Sequence, residues 1–514
     1  MNEIYYVPRH YNEIELWRHV SEAQWNDPRW QQKNAIHSVE QLKQVIQLSD
    51  FQAAEIHRTV TTLRQQGKEP LRITPYYASL MQADPFHPQM RDGEKAEERL
   101  DPIFWQSVPT PANLLFPDTG IEAAMGEEVR SFGAAYQRYP NRVALLVAEN
   151  TSCASYCVHC QRAKSLDAAT RINRDALNRG IYYIASNPNI NEVLVTGGDS
   201  LMISRTRLRY ILEELGRIPH LRVIRLATRV PVVMPMAITD ALLEDIRQSV
   251  RKHQQGDPKH VYFMTHINHY QEITNALGAA VQRIQNHGYT VRNQTVLLNH
   301  VNSCYITLAE TFRRMVWAGV HPYYLLQCHK ERGITHFITP VQIGKIYMKH
   351  LQGWLSGICM PRYAANIEGG GGKVLLMPSG HDTLNTGVVI DSRIAESYAT
   401  VYTWDGRIIE KYEALGRATR QEFATAKKMM EAFIGRKKVF MPRLILVDKQ
   451  GNIIKTTHRS RLPQLENRKK ARQLGYGLYD GRMPLTNPAK NRAELERGFV
   501  ASRFHGARAT DAAE

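Results

Sequence analysis

RVALLVAENTSCASYCVHCQR, residues Arg142–Arg162, is the stretch from which the fold is read. An apolar run, Arg142–Val147, ends in a tight loop that places Cys153, Cys157 and Cys160 at the spacing C-x3-C-x2-C. Three thiolates on one loop can each bind a different iron of a cubic iron–sulfur cluster, which usually takes four Cys ligands. With no obvious fourth ligand, one iron keeps an open site where a small molecule can coordinate and receive an electron. Two blander readings stand beside this one: a structural zinc knuckle, or three unrelated buried thiols. Zinc sites favour C-x2-C pairs with a second Cys or His pair further on, and none follows here.

Outward from that loop, short apolar runs alternate with longer amphipathic ones. Arg142–Val147, Glu192–Val195, Leu221–Leu226, Val261–Met264, Thr290–Leu298 and Tyr323–Leu326 each read as a strand. Between them, Leu208, Ile211, Leu212 and Leu215 share a helical face behind the N-cap candidate Ser204. Ile273, Leu277, Ala280, Val281 and Ile284 share another. Strand and helix alternate about every 30–40 residues, which predicts an α/β fold with a parallel sheet and right-handed crossovers. Six units fit an incomplete (β/α) barrel, with the Cys loop at the C-terminal end of its first strand, where such barrels build their sites. Residues 1–118 read as a helical region, with amphipathic stretches at Val39–Ile46 and Phe51–Leu63 and a Pro-rich connector from Pro109 to Asp118. Residues 119–400 read as the barrel, and 401–514 as a small basic α+β extension. In the extension, Leu444–Val447 and Ile453–Thr456 flank a hairpin turn at Asp448–Asn452, and the final FHGARATDAAE reads as disordered.

The composition is 43% hydrophobic and 22% charged over 514 residues, that of a globular chain of two or three structural units. No apolar run reaches about 18 residues, so no membrane span is expected. The opening MNEIYYVPRHYNEIELWRHV lacks the basic-then-apolar layout of a signal peptide. Six cysteines, three of them in one motif, argue against a disulfide framework and for a reducing cytoplasm. The net charge of +17 is diffuse apart from runs such as Arg436–Lys438 and Arg468–Lys470. It reads as a solvated basic face rather than a nucleic-acid footprint.

A second signal lies at Asn366-Ile367-Glu368, followed by Gly369–Gly372, Lys373 and the apolar VLLM. A phosphate-cradling P-loop needs Gly six residues before the Lys and Ser or Thr after it; Ile367 and Val374 exclude one. Glycines let the backbone approach a bulky group closely. A Lys beside them can form a Schiff base with pyridoxal phosphate, given a depressed pKa. A flexible linker is the alternative.

Together these signals resemble the lysine 2,3-aminomutase family, radical S-adenosylmethionine enzymes that also use pyridoxal phosphate. The resemblance runs from about residue 25 to about 405. It is carried by WNDPRWQ (Trp25–Gln31), ITPYY (Ile73–Tyr77), RYPNRV (Arg138–Val143), the Cys loop, VTGGD (Val195–Asp199), THINHYQEIT (Thr265–Thr274), RNQTVLLNHVN (Arg292–Asn302), HPYYLLQC (His321–Cys328) and GGGGK. It implies Cys153, Cys157 and Cys160 as ligands of a [4Fe-4S] cluster and Lys373 as the lysine that holds pyridoxal phosphate. Gly197, Gly198 and Asp199, with Gln294 and His266, match positions that bind S-adenosylmethionine. Arg142 and Arg138 match basic residues near the pyridoxal phosphate, with surface salt bridges as the alternative. Arg162 matches the arginine for the substrate α-carboxylate, a task its guanidinium fork suits. The activity implied is the transfer of an α-amino group to the β-carbon of a free amino acid, with an electron supplied by flavodoxin or ferredoxin. A homo-oligomer is also expected.

Two departures qualify the resemblance. Lysine-specific members grip the substrate ε-ammonium with two aspartates, and those positions here hold His329 and Asn366. An unpaired buried ammonium is costly, so an acidic or neutral, glutamate-like substrate is favoured over lysine. Glu331 and Glu368 are the candidate replacement acids. The C-terminal Cys cluster that binds zinc in lysine-type members is missing, so zinc is not expected and Cys304, Cys328 and Cys359 read as buried thiols. A radical enzyme that modifies RNA or protein through the basic extension is the alternative from another class.

Overall fold

The computed structural model describes residues 5–89, 100–116, 131–148, 153–160, 171–367, 372–376, 388–390, 397–402, 408–412, 415–437 and 442–457. Arg162, Glu368, Gly369–Gly371 and the C-terminal end lie outside the described residues.

Among the described residues, ten strands form one sheet, in sequence order: β1 (Ser131–Phe132), β2 (Ala135–Tyr139), β3 (Arg142–Leu146), β4 (Glu192–Thr196), β5 (Val223–Ala227), β6 (His260–Thr265), β7 (Thr290–Leu297), β8 (His321–Gln327), β9 (Arg362–Ile367) and β10 (Gly372–Leu375). The neighbours from β3 to β9 pair in parallel. β1, β2 and β10 are antiparallel additions at the two edges. The six strands expected from sequence are β3–β8, and the α/β class holds. The seventh parallel strand, β9, reads RYAANI, and two alanines in six residues give it little β-propensity or alternation. The backbone N–H of Lys373 in β10 donates to Tyr139 Oη in β2 at 2.6 Å, so the two edges of the sheet meet.

Register explains what each face does. Leu145, Val195, Leu226, Phe263 and Val291 lie side by side across β3–β7, all fully buried. The alternate row Ala144, Leu194, Arg225, Tyr262 and Thr290 is only half-buried and carries polar groups. The apolar row is covered by crossover helices such as Arg205–Gly216 and Asn275–Asn286, whose expected apolar faces are buried. Ser204 caps the first of these, its Oγ accepting from the Arg207 N–H at 3.3 Å.

The N-terminal region contains the expected helices, at Val39–Lys43 and Asp50–Gln65. It also anchors the Cys loop. Tyr156 N–H donates to the Arg72 carbonyl, Val158 N–H to the Gln106 carbonyl, and Thr74 N–H to Ser155 Oγ. Within the extension, Leu444–Val447 and Ile453–Thr456 form the expected hairpin, its turn closed by Asp448 Oδ1 accepting from Gln450 and Asn452 N–H. A strand at Gly416–Thr419 pairs in parallel with Leu444–Val447 through the helix Arg420–Ile434. That helix packs on the N-terminal region: Phe433 meets Phe86 edge-on at 5.6 Å, and Gln52 donates to the Phe433 carbonyl. By contacts, Met1–Ser460 is one compact unit. No helix among the described residues is long and apolar enough to cross a membrane.

Candidate active site

Several of the residues singled out from sequence follow the parallel strands one after another, whereas Arg142 opens β3, Arg138 lies within β2 and Gln294 within β7. The Cys loop comes after β3, Gly197–Asp199 after β4, His266 after β6 and His329 after β8, with Asn366 near the end of β9. Lys373 pairs directly with Asn366 across β9–β10. All of these stand at one rim, the C-terminal ends of the strands, where sites in such sheets are built.

At the Cys loop, Cys153 and Cys157 thiols are pushed up chiefly by burial; Cys153 also feels Asp199 and the other two cysteines. Three thiols on one loop, with Asp199 acting on one of them, are costly as free thiolates and suit a soft, electron-poor iron centre. Sulfur and nitrogen donors of Cys157, His159 and His266 lie within 4.8 Å of one another. Burial pushes His266 down to about 3 and His159 well down, so both imidazoles are neutral. Asn268 links them, its Oδ1 3.1 Å from His266 Nε2 and its Nδ2 3.3 Å from His159 Nε2.

Gly197 and Gly198 have φ of 95° and 79°, a left-handed pair that side chains resist. A Cβ at Gly197 would sit 3.3 Å from Leu146 Cα, so the loop rides against β3. Asp199 accepts from the Leu201 N–H at 3.0 Å and the Arg229 N–H at 2.6 Å, and burial raises it to about 6. Ser200 Oγ, Thr265 Oγ1 and His159 Nδ1 are buried near these loops with no partner among the described residues, as groups awaiting a polar ligand are. Gln294 is half-buried on β7, beside Tyr324 of β8.

Around Lys373 the field is cationic. Burial first, then Arg138, Arg225 and Arg142, push its amine down to about 7. Its Nζ lies over the Tyr324 ring at 5.7 Å, and Arg142 stacks on the Tyr139 ring at 3.8 Å. A reactive amine among guanidiniums fits a phosphate-bearing aldehyde: the amine can add to the carbonyl and the arginines can pair with the phosphate. His329 lies beside this group, its Nε2 3.0 Å from Asn366 Nδ2. Burial, then Lys373 and Arg138, push it down to about 4. Asn366 Oδ1 has no partner among the described residues. Arg162 lies outside them. Cys328 and Cys359 are buried and Cys304 is half-buried at a helix start.

Arg229 and Glu272 are site residues to which the sequence reading gave no role, although Glu272 lies within the THINHYQEIT stretch. Arg229 follows β5 on the same rim and donates to Cys157 Sγ, Tyr77 Oη and Glu272 Oε1, each at 2.7 Å. Its place just past a strand end, in ATRVPV, was the available signal.

An L-lysine 2,3-aminomutase of Clostridium subterminale is 35% identical over 71% of this chain and 81% of its own length. One of Bacillus subtilis is 36% identical over 74% of each chain. A glutamate 2,3-aminomutase of Clostridioides difficile is 33% identical over 76% of this chain and 83% of its own. No protein-family model matches the chain. Among solved structures, a radical SAM methyltransferase from Sphaerobacter thermophilus is a partial likeness, with a TM-score of 0.31 at 16% identity over 45% of this chain and 68% of that one. The aminomutase relatives make this chain an isomerase that moves an amino group. The chain belongs to the lysine 2,3-aminomutase family.

Proposed function

We propose that this isomerase is a radical S-adenosylmethionine, pyridoxal phosphate-dependent 2,3-aminomutase acting on a free amino acid with an acidic or neutral side chain. One observation carries it: the Cys loop, the Gly197–Asp199 loop and Lys373 converge on a single rim. When bound, the cluster with S-adenosylmethionine supplies hydrogen-atom abstraction, and pyridoxal phosphate supplies a carbonyl partner for the migrating nitrogen. Cys153, Cys157 and Cys160 would hold the cluster. Gly197 and Gly198 let S-adenosylmethionine approach the backbone, with Asp199, His266 and Gln294 around it. Lys373 offers a neutral amine at physiological pH, Arg138, Arg142 and Arg225 hold the phosphate, and Arg162 takes the substrate carboxylate. An external one-electron donor protein would supply the electron that this chemistry requires.

The side-chain preference is supported by charge. His329 and Asn366 present neutral hydrogen-bonding groups, and the permanent charge acting on His329 is the Arg138 guanidinium. A lysine ammonium entering there would meet repulsion from Arg138, whereas a carboxylate, amide or hydroxyl would not. The test is to incubate reconstituted, reduced enzyme anaerobically with each common amino acid and look for β-isomers. Turnover of lysine but not of glutamate or a neutral amino acid overturns the side-chain assignment. Replacing both positions, His329→Asp with Asn366→Asp, should shift kcat/KM toward lysine at least tenfold relative to the wild type, about 1.4 kcal/mol.

A further inference from the structure

Arg229 is a buried guanidinium, 7% exposed, whose donors are all directed inward. Nε donates to the His266 carbonyl at 3.2 Å, and Nη2 to Tyr77 Oη, Gln106 Oε1 and Glu272 Oε1. A cation this deep needs an anion held in place. Glu272 is fully buried, and its Oε2 accepts from the backbone N–H groups of Asn268 at 2.6 Å and His269 at 2.9 Å. With Nε and Nη2 so occupied, Nη1 points at Cys157 Sγ, 2.7 Å away. The backbone N–H of Arg229 donates to Asp199 Oδ2. One side chain therefore ties the Cys loop to the end of β5, and its main chain ties in the glycine loop.

We propose that Arg229 is a positioning residue that sets the reduction potential of the cluster through its hydrogen bond to the Cys157 sulfur. The proposal rests on Cys153, Cys157 and Cys160 being the cluster ligands. On reduction the cluster gains one electron from a donor outside the protein; no bond is made or broken at Arg229. A guanidinium N–H directed at a ligand sulfur stabilises that added charge. Hydrogen bonds to ligand sulfurs are among the protein's means of setting such potentials.

The experiment is an EPR-monitored redox titration of anaerobically reconstituted enzyme, with iron content measured on each sample. Arg229→Gln combined with Glu272→Gln removes cation and anion together, so no unpaired charge is left buried. Expected is a four-iron cluster in the double variant whose reduced-to-oxidised ratio at a fixed ambient potential is about tenfold lower than in the wild type. For one electron that is a shift of about 59 mV to more negative potential. Arg229→Lys keeps the charge and loses the fork, and should shift in the same direction by less; it serves as the measurement if the double variant does not load iron. A cluster-loaded variant with the wild-type potential overturns the proposal and leaves Arg229 a brace. A wild-type protein that binds no cluster at the three cysteines overturns the ligand assignment itself, a distinct result.

Discussion

Lys373 shows how much a single side chain depends on its surroundings. A lysine amine ordinarily titrates near 10.5; here burial and three arginines lower it to about 7. Below pH 7 the ammonium dominates and cannot add to a carbonyl; above it the free amine dominates. Borohydride trapping of pyridoxal phosphate on the apoprotein should therefore rise with pH through a midpoint near 7, and be absent in Lys373→Ala. Arg138→Gln removes a charge that disfavours the ammonium, so the midpoint should move to higher pH; an unmoved or lowered midpoint contradicts the electrostatic cause. Lys373 and the cysteines were legible in the sequence because their signals are local: one tight spacing and one glycine run. Arg229 and Glu272 were not, since their pairing is made by residues 43 apart that meet only when β5 and the segment after β6 stand side by side.

Among the elements, β3, β4, β5 and β7 alternate cleanly and were visible, whereas β9 does not and was missed. β7 alternates buried and half-buried residues over its whole length, whereas in β9 five of six residues are buried, so no face stands out. The loop after β4 carries a sharper constraint than any strand. At φ 95° Gly197 occupies a conformation that costs a side chain about 1–3 kcal/mol, and a Cβ there would press on the β3 backbone. Gly197→Ala should lower the thermal midpoint. By moving the loop it should also weaken S-adenosylmethionine binding, measured by equilibrium dialysis, more than it weakens iron loading. Equal losses of both would mean a general collapse of the rim instead of a displaced loop.

At the scale of the molecule, the basic extension reads in sequence as a separate unit, yet its helix Arg420–Ile434 is built into the N-terminal region. Phe433 is fully buried and edges onto Phe86, which in turn packs edge-on against Phe104 at 5.3 Å. Arg436, from a run that looks like a solvated basic face, donates to the Phe86 carbonyl. Sequence could not show this because the contacts span more than 300 residues, and helical periodicity names a buried face without naming what covers it. Phe104 and Gln106 belong to one short helix, and the Gln106 carbonyl accepts from Val158 in the Cys loop, so the aromatic stack reaches the segment between two of the proposed cluster ligands. Truncating a buried phenylalanine costs about 3–5 kcal/mol. Phe433→Ala should therefore lower the urea midpoint of a single transition that includes the barrel, followed by tryptophan fluorescence and by far-UV circular dichroism. If the extension were merely appended, an early minor transition would split off and the main one would keep its midpoint. Coincident displacement of both probes is the outcome expected of a helix that shares the core supporting the Cys loop.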